Sequence, residues 1–227
     1  MDVPAEYLGP GEHLAQRQTS EIVNNSLTRE VEVISVVDPL LFFVKLREEM
    51  DSYYTLKQSL AIFYGPGGQG SCHQVPPYML RPYSYNVVNY NGLWIRFLVF
   101  SVTFSTKTVL GMSVDFGKVL TLDMTEQSFY PLHRLFASLP PQAIHCRLFN
   151  VKPVKRKGCE MKGVEILNSM TGIDRKLGAI FVQLDREIID TYEVVLVDIT
   201  NEEQPVFIVE EMIAAGCVKM NQRKTIS

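Results

Sequence analysis

Long apolar runs are missing from this chain. No stretch approaches the ~20 residues that cross a bilayer as a helix, so no membrane role is expected. Charge of one sign is missing as well. The 22 Lys and Arg stand against 25 Asp and Glu, a formal net charge of −3. That balance gives no general attraction for polyanions, and nucleic acid is not an expected partner. Cysteine is sparse, and Cys72, Cys146, Cys159 and Cys217 never fall at a C-x-x-C spacing. His13, His73, His133 and His145 are equally scattered. Cys72–His73 and His145–Cys146 are adjacent pairs, but strand neighbours point to opposite faces and make no ready chelate. Neither a zinc site nor a disulfide frame is expected; buried thiols in a reducing compartment are the plain reading. No fixed-period repeat is present. The leading residues are acidic and polar and do not read as a secretory leader, so a cytoplasmic location is the expectation.

Catalytic signatures are also scarce. Gly65–Gly70 is glycine-rich, but the Gly-Lys-Ser/Thr ending of a phosphate-binding loop is replaced by Ser71-Cys72-His73. We read it as a flexible surface loop. Asp185-Arg186-Glu187 is the one dense cluster of acid and base near a strand end. Metal-assisted phosphodiester chemistry needs converging carboxylates, and a solvated turn is the simpler reading. The sequence order suggests no Ser/His/Asp or Cys/His arrangement. No enzymatic activity, metal or cofactor is expected.

What is present is enough to build cores: 227 residues, 46% of them hydrophobic, make one large domain or two small ones. Residues 1–28 are polar and read as a lead-in, with a helical stretch around Glu12–Val23. Glu30–Val37 and Leu40–Leu46 read as strands joined at Asp38-Pro39. Arg47–Phe63 changes to a helical period through Met50, Tyr53, Tyr54, Leu56, Leu60 and Phe63. Tyr85–Asn89, Leu93–Thr103, Val109–Asp115 and Val119–Leu122 follow as short strands, with Asn91-Gly92 a strong hairpin turn. Strands at this spacing predict a small barrel. Ser128–Ser138 reads as a helix through Phe129, Leu132, Leu135 and Phe136. Ile144–Val154 is a strand, and Cys159–Met170 a helix. Ala179–Leu184, Tyr192–Asp198 and Pro205–Val209 are strands, and Glu210–Cys217 is a short helix. The class is mainly β with helices, α+β.

Four motifs carry a resemblance. Asn91-Gly92-Leu93-Trp94-Ile95-Arg96 resembles the D-G-x-W-Y-R run of Tudor domains, and Val114-Asp115-Phe116-Gly117-Lys118-Val119 resembles their V-D-Y-G-N-x turn. Leu139-Pro140-Pro141-Gln142-Ala143, with Cys146-Arg147-Leu148, resembles the L-P-x-Q-A-x-x-C-x-L run after the barrel. Val36 to Val44 is similar to the strand pair that precedes it. Together, in this order and spacing, they resemble the extended Tudor family over residues 30 to 218. The resemblance implies a Tudor barrel at 79–123 inserted into a staphylococcal-nuclease-like oligonucleotide-binding (OB) lobe built from 29–64 and 141–219. A linker helix at 124–140 would join them.

The resemblance also implies a docking module of germline small-RNA pathways, in perinuclear, nuage-type cytoplasmic granules. The usual ligand is an arginine-rich N-terminal tail of a Piwi-type Argonaute bearing symmetric dimethylarginine, held in a groove between barrel and lobe. Such a guanidinium stacks between ring faces by cation–π attraction. Carried over position by position, the family's four rings fall on Asn89, Ile95, Ser113 and Phe116, and its guanidinium-binding Asn on Lys118. One ring in four is kept, and the polar partner has become a cation. A single exposed ring gives ~0.5–1 kcal/mol, which Lys118 opposes. The expectation is an unmethylated arginine-containing tail, docked at Asn89, Ile95, Ser113, Asp115, Phe116 and Lys118. Asp115 has a second reading, as a barrel bridge to Arg96. Two alternatives stay open: a symmetric-dimethylarginine reader, and a self-associating scaffold that meets other Tudor proteins. Trp94, the only tryptophan, reads as core. Two basic clusters, Lys152–Lys157 and Lys219 with Arg223 and Lys224, carry no interleaved aromatic and read as solvated.

Overall fold

The computed structural model describes residues 4–24, 26–156, 158–169 and 175–221. Met170, Lys157, Arg223 and Lys224, named above, lie outside the described residues. In chain order the elements begin with helix α1 (Thr19–Ile22), strands β1 (Arg29–Val36) and β2 (Leu41–Leu46), and helix α2 (Met50–Tyr64). Strands β3 (Tyr85–Tyr90), β4 (Leu93–Thr103), β5 (Thr108–Ser113), β6 (Lys118–Asp123) and β7 (Phe129–Pro131) follow. Next come β8 (Ile144–Leu148), β9 (Val151–Pro153), helix α3 (Cys159–Ser169), β10 (Leu177–Leu184) and β11 (Tyr192–Asp198). The chain ends with β12 (Val206–Phe207), helix α4 (Ile208–Ala214) and β13 (Val218–Met220). These elements form two compact units. One holds residues 1–16 and 49–142, the other residues 17–48 and 143–227.

The first unit is an antiparallel five-stranded sheet of order β6-β5-β4-β3-β7. Strand β3 buries Val87 and Val88 on opposite faces, whereas β6 alternates buried Leu120 and Leu122 with exposed neighbours. Val88, Ile95, Phe97, Val99, Val109, Leu120 and Phe129 fill the barrel interior. Val87 and Val114 face the other way, onto Leu56, Leu60 and Tyr64 of α2. The hairpin β3–β4 turns at Asn91 and Gly92 with φ of 51° and 82°, the left-handed pair that the Asn-Gly dipeptide supplies. Helix α2 stops where Gly65 N–H donates to the Ala61 carbonyl at 2.9 Å and Pro66 follows,.

The second unit is a closed β-barrel. Its sheet runs β10-β1-β2-β8-β11, and β10 also pairs with β11. All pairs are antiparallel except β8 with β11, which is parallel. Taking its five barrel strands in chain order, the ring reads 1-2-3-5-4-1, the topology of an OB barrel. Residues 49–142 are inserted between its second and third strands. Phe42, Val44, Cys146, Leu148, Phe181, Val194 and Leu196 make its core, with Leu167 of α3 and Ile208 and Met212 of α4.

Several expectations change. The linker helix of 124–140 is absent: Ser128–Ser138 forms strand β7 and a 3-10 turn at Arg134–Phe136. Pro131 explains this, since inside a helix it removes a donor and clashes with the turn before it. Phe129 and Leu132, read as one helical face, belong to different clusters, and Leu135 is exposed. Helix α2 groups with the Tudor unit, whereas the sequence reading put 29–64 in the nuclease-like lobe. The lead-in of 1–28 is also divided. Leu8 and Leu14 pack under α2, while Ile22 enters the OB core and only Thr19–Ile22 is helical. The glycine loop packs closely at Gly68 and Gly70, while Pro66, Gly67 and Gln69 are exposed. A Cβ on Gly68 would meet the Phe63 carbonyl oxygen at 2.3 Å, and one on Gly70 the Phe63 ring at 2.5 Å.

Candidate functional site

The three Tudor-type motifs of the first unit meet at one side chain. Arg96 on β4 is wholly buried and uses all five of its N–H donors,. Nε donates to Asp115 Oδ2 at 2.9 Å and Nη2 donates to Asp115 Oδ1. Nη1 donates to the carbonyls of Phe136 and Leu139, and Nη2 also to that of Pro140 at 2.9 Å. Asp115 Oδ1 accepts in addition from the Gln142 N–H at 3.1 Å. The arginine of one motif, the aspartate of the second and the Leu-Pro-Pro-Gln backbone of the third form one saturated hub. A buried ion pair stands only when its remaining hydrogen-bonding groups are satisfied, and here they are. Asp115 therefore serves as the bridge to Arg96; its carboxylate is not offered to a peptide arginine.

The other five candidates surround the end of the barrel that this hub holds. Asn89 lies on β3 opposite Trp94. Its Oδ1 accepts from the Gly92 N–H at 3.0 Å, and its carbonyl accepts from Gln127 Nε2 at 2.9 Å. It braces the β3–β4 turn. Ile95 is 4% exposed and part of the barrel core. Ser113 is 1% exposed, and its Oγ finds no hydrogen-bond partner among the described residues. Ser113 and Lys118 pair across the four-residue turn that carries Asp115 and Phe116. Gly117 has φ of 63° there, the left-handed value that closes so short a turn,. Of the six, Lys118 is exposed and Phe116 half-buried against the barrel core, while Ile95, Ser113 and Asp115 are closed to solvent.

The sequence reading left out two rings: Tyr90 of β3 is half-buried against the same core cluster as Ile95 and Phe116, and α2 supplies the second. Tyr53 of α2 meets the Phe116 ring edge-on, centroids 6.0 Å apart at 82°. Tyr54 lies beside Tyr53 at 6.0 Å and is 50% exposed. Lys57 Nζ sits 5.9 Å from the Tyr53 ring centre. The Tyr-Tyr dipeptide was the available signal. Consecutive helical positions diverge by about 100°, so only one of two adjacent rings can enter a core. Trp94 packs between Tyr64 and Tyr130, matching the core role expected of it. A groove of about 1010 Å³ follows another stripe of α2, and none of the six candidates lines it.

In the OB unit, Asp185 accepts from the backbone N–H groups of Glu187 and Ile188 and from Arg147. Burial raises its carboxyl pKa, and those donors outweigh burial, holding it below the usual carboxylate value. The cluster at Asp185–Glu187 is a braced turn. Among the described residues, no three His, Cys, Asp or Glu side chains are gathered as metal ligands.

No family model matches the chain, and no curated protein does. Solved structures do. The chain is similar to extended Tudor domain TD3 of mouse TDRD1 in complex with a MILI peptide containing dimethylarginine. There the identity is 19% over 92% of this chain and 98% of that one, with a TM-score of 0.73. It is similar to the extended Tudor domain of BmPAPI in complex with symmetric dimethylarginine, at 19% identity, 85% and 98% coverage and a TM-score of 0.70. A third is a variant of the Drosophila melanogaster Papi extended Tudor domain in complex with an unmethylated Piwi N-terminal peptide. It is 18% identical, covers 86% and 99%, and has a TM-score of 0.71. The 1-2-3-5-4-1 barrel, the sheet inserted between its second and third strands and these likenesses agree: this chain has the fold of an extended Tudor domain.

Proposed function

We propose that this chain is a non-enzymatic adaptor of the piRNA pathway that docks an arginine-containing N-terminal segment of a Piwi-type Argonaute without requiring arginine methylation. Its place of work would be cytoplasmic, perinuclear germline granules. Three of its similar structures hold a MILI peptide containing dimethylarginine or a Piwi N-terminal peptide in methylated or unmethylated form. One observation carries the reading on methylation. Of four positions that would form the cage, Ile95 and Ser113 are closed to solvent without a ring, and Asn89 is engaged in its turn. Of the four, Phe116 alone is a ring, beside exposed Lys118. Methyl groups on a guanidinium gain from enclosure between rings, and one wall does not enclose. Phe116 suits the apolar stem of an arginine instead. The observation favouring the alternative, a dimethylarginine reader, is Tyr90, half-buried against the same core cluster as Phe116; Tyr53 is buried and closed to a ligand.

Calorimetric titration with one Piwi-type N-terminal peptide, unmodified and symmetrically dimethylated, decides between them. The two forms should bind within about threefold of each other. Phe116→Ala should weaken both about two- to fivefold, the loss of one exposed ring contact. Lys118→Glu should tighten both. Binding of the methylated form alone would assign the reader function. Binding of neither would favour the self-associating scaffold.

A further inference from the structure

The sequence separates two basic clusters by more than sixty residues, and the OB unit brings them face to face. Strands β9 and β13 form an antiparallel ribbon in which Lys152 lies directly opposite Lys219. Both are exposed. Like charges in that register repel. Lys155 and Arg156 continue the cluster in the loop after β9. None of these four cations makes an ion pair among the described residues. In a chain of net charge −3, these four gather cationic charge locally.

A cavity of about 260 Å³ lies beside this cluster, on the Pro153 side of the ribbon, with Lys152 and Lys219 on the other side,. Pro39, Leu40, Pro153 and Val154 give it apolar walls, and Lys155 and Arg156 stand in its lining. Asp38 and Glu160 contribute carboxylates. Its walls are fixed by close packing. A Cβ on Gly163 of α3 would meet Pro39 at 2.6 Å, so the helix lies directly on the β1–β2 turn. The Val154 N–H donates to the Cys217 carbonyl at 2.9 Å, tying the loop to the entry of β13. The volume falls below the roughly 300–1,000 Å³ of drug-sized sites and suits one planar ring system.

We propose that this cluster binds single-stranded nucleic acid, with Lys152, Lys155, Arg156 and Lys219 on its phosphates and one unstacked base in the cavity. Proline faces accept a base plane, and the carboxylates accept hydrogen bonds from exocyclic amino or ring N–H groups. An acidic peptide would satisfy the cations but bring its own carboxylates against Asp38 and Glu160. Duplex would satisfy the cations and leave the cavity unfilled. The balanced gross charge hides this cluster, because whole-chain charge carries no information about strand register.

The test is fluorescence anisotropy on the full chain. Labelled twelve-residue single strands of RNA and of DNA, a duplex of the same length and a polyglutamate peptide are titrated from 50 to 200 mM salt. Single strands should bind in the micromolar range at 50 mM, at least fivefold tighter than duplex. The slope of log affinity against log salt should be about −3, four phosphates at roughly −0.7 each. Lys152→Glu with Lys219→Glu should weaken binding at least tenfold and halve that slope. Lys152→Glu alone faces Lys219 with the opposite charge, so it should melt no lower than the parent while still losing affinity; it separates lost binding from lost fold. Equal binding of RNA and DNA, or preference for RNA through its 2′-hydroxyl, both support the proposal. Polyglutamate or duplex bound as tightly as single strand, no binding at 50 mM salt, or unchanged binding by the double variant would overturn it.

Discussion

Arg96 in the Tudor unit and Arg147 in the OB unit both meet an aspartate, and their surroundings make the two pairs different objects. Arg96 has no exposed surface, and every donor is taken by Asp115 or by carbonyls of 136–140. Arg147 is 20% exposed, reaches Asp185 at 3.0 Å and lies 3.7 Å from exposed Glu187. Asp185 also has two backbone N–H donors that do not depend on the arginine. The first pair is a fastener whose loss leaves a charge with no water to turn to. The second is a brace that water can partly replace. The lesson is that residue identity and separation do not set the worth of an ion pair; desolvation and the remaining partners do.

The widest separation of the two comes from Asp115→Asn. It leaves Arg96 buried and uncompensated, and we expect a loss of about 3–5 kcal/mol, read as a lower urea midpoint for the Tudor unit. Arg96→Met with Asp115→Leu should not recover the parent stability. Although apolar replacement of a buried pair is often neutral, here the carbonyls of Phe136, Leu139 and Pro140 would lose their donors. Full recovery would show that the pair is dispensable. Arg147→Met should cost less, about 1.5 kcal/mol, the low end for a hydrogen bond to a charged group. A cost equal to that of Asp115→Asn in the same urea titration would erase the distinction.

The smallest expected effect is a pH dependence next to the OB brace. His145 stacks on Phe43 at 4.6 Å and bonds Thr191 Oγ1 through Nδ1 at 2.8 Å. Burial pushes its pKa down, against the pull of Asp38 and Asp185. The folded form therefore resists a proton that the unfolded chain accepts near pH 6.5. Stability should hold above that pH, fall below it, and level off once folded His145 is itself protonated. Melting curves between pH 7.5 and 5.5 measure it. His145→Phe should flatten the slope while keeping the stack; a slope unchanged by that substitution would assign it elsewhere.

Much of the fold was legible in particular residues. The β1–β2 hairpin, the strands around Asn91-Gly92 and the helix ending at Gly65 follow from alternation, helical period and turn chemistry, all local properties. The close packing at Gly68 and Gly70 was not, because glycine marks close approach and free motion alike until its neighbour is known. Phe129 and Leu132 sit at helical spacing yet enter different cores, and Pro131 between them was the overlooked signal. The site was legible as positions and not as roles. Asp115 was seen as both bridge and ligand, and only the five donors of Arg96 decide for the bridge. Tyr53 reaches Phe116 from outside any motif.

The sequence by itself determined most of the elements and the order of the motifs. Those are facts of residue type and near-neighbour spacing. The tertiary structure alone decided that three motifs converge on one guanidinium and that Lys152 opposes Lys219. It also decided that Ile95 and Ser113 are closed to solvent while Phe116 is half-buried. Each of these depends on which strands are paired and which face is covered, and pairing across a long insertion is fixed by the burial of whole surfaces, not by any local stretch of chain.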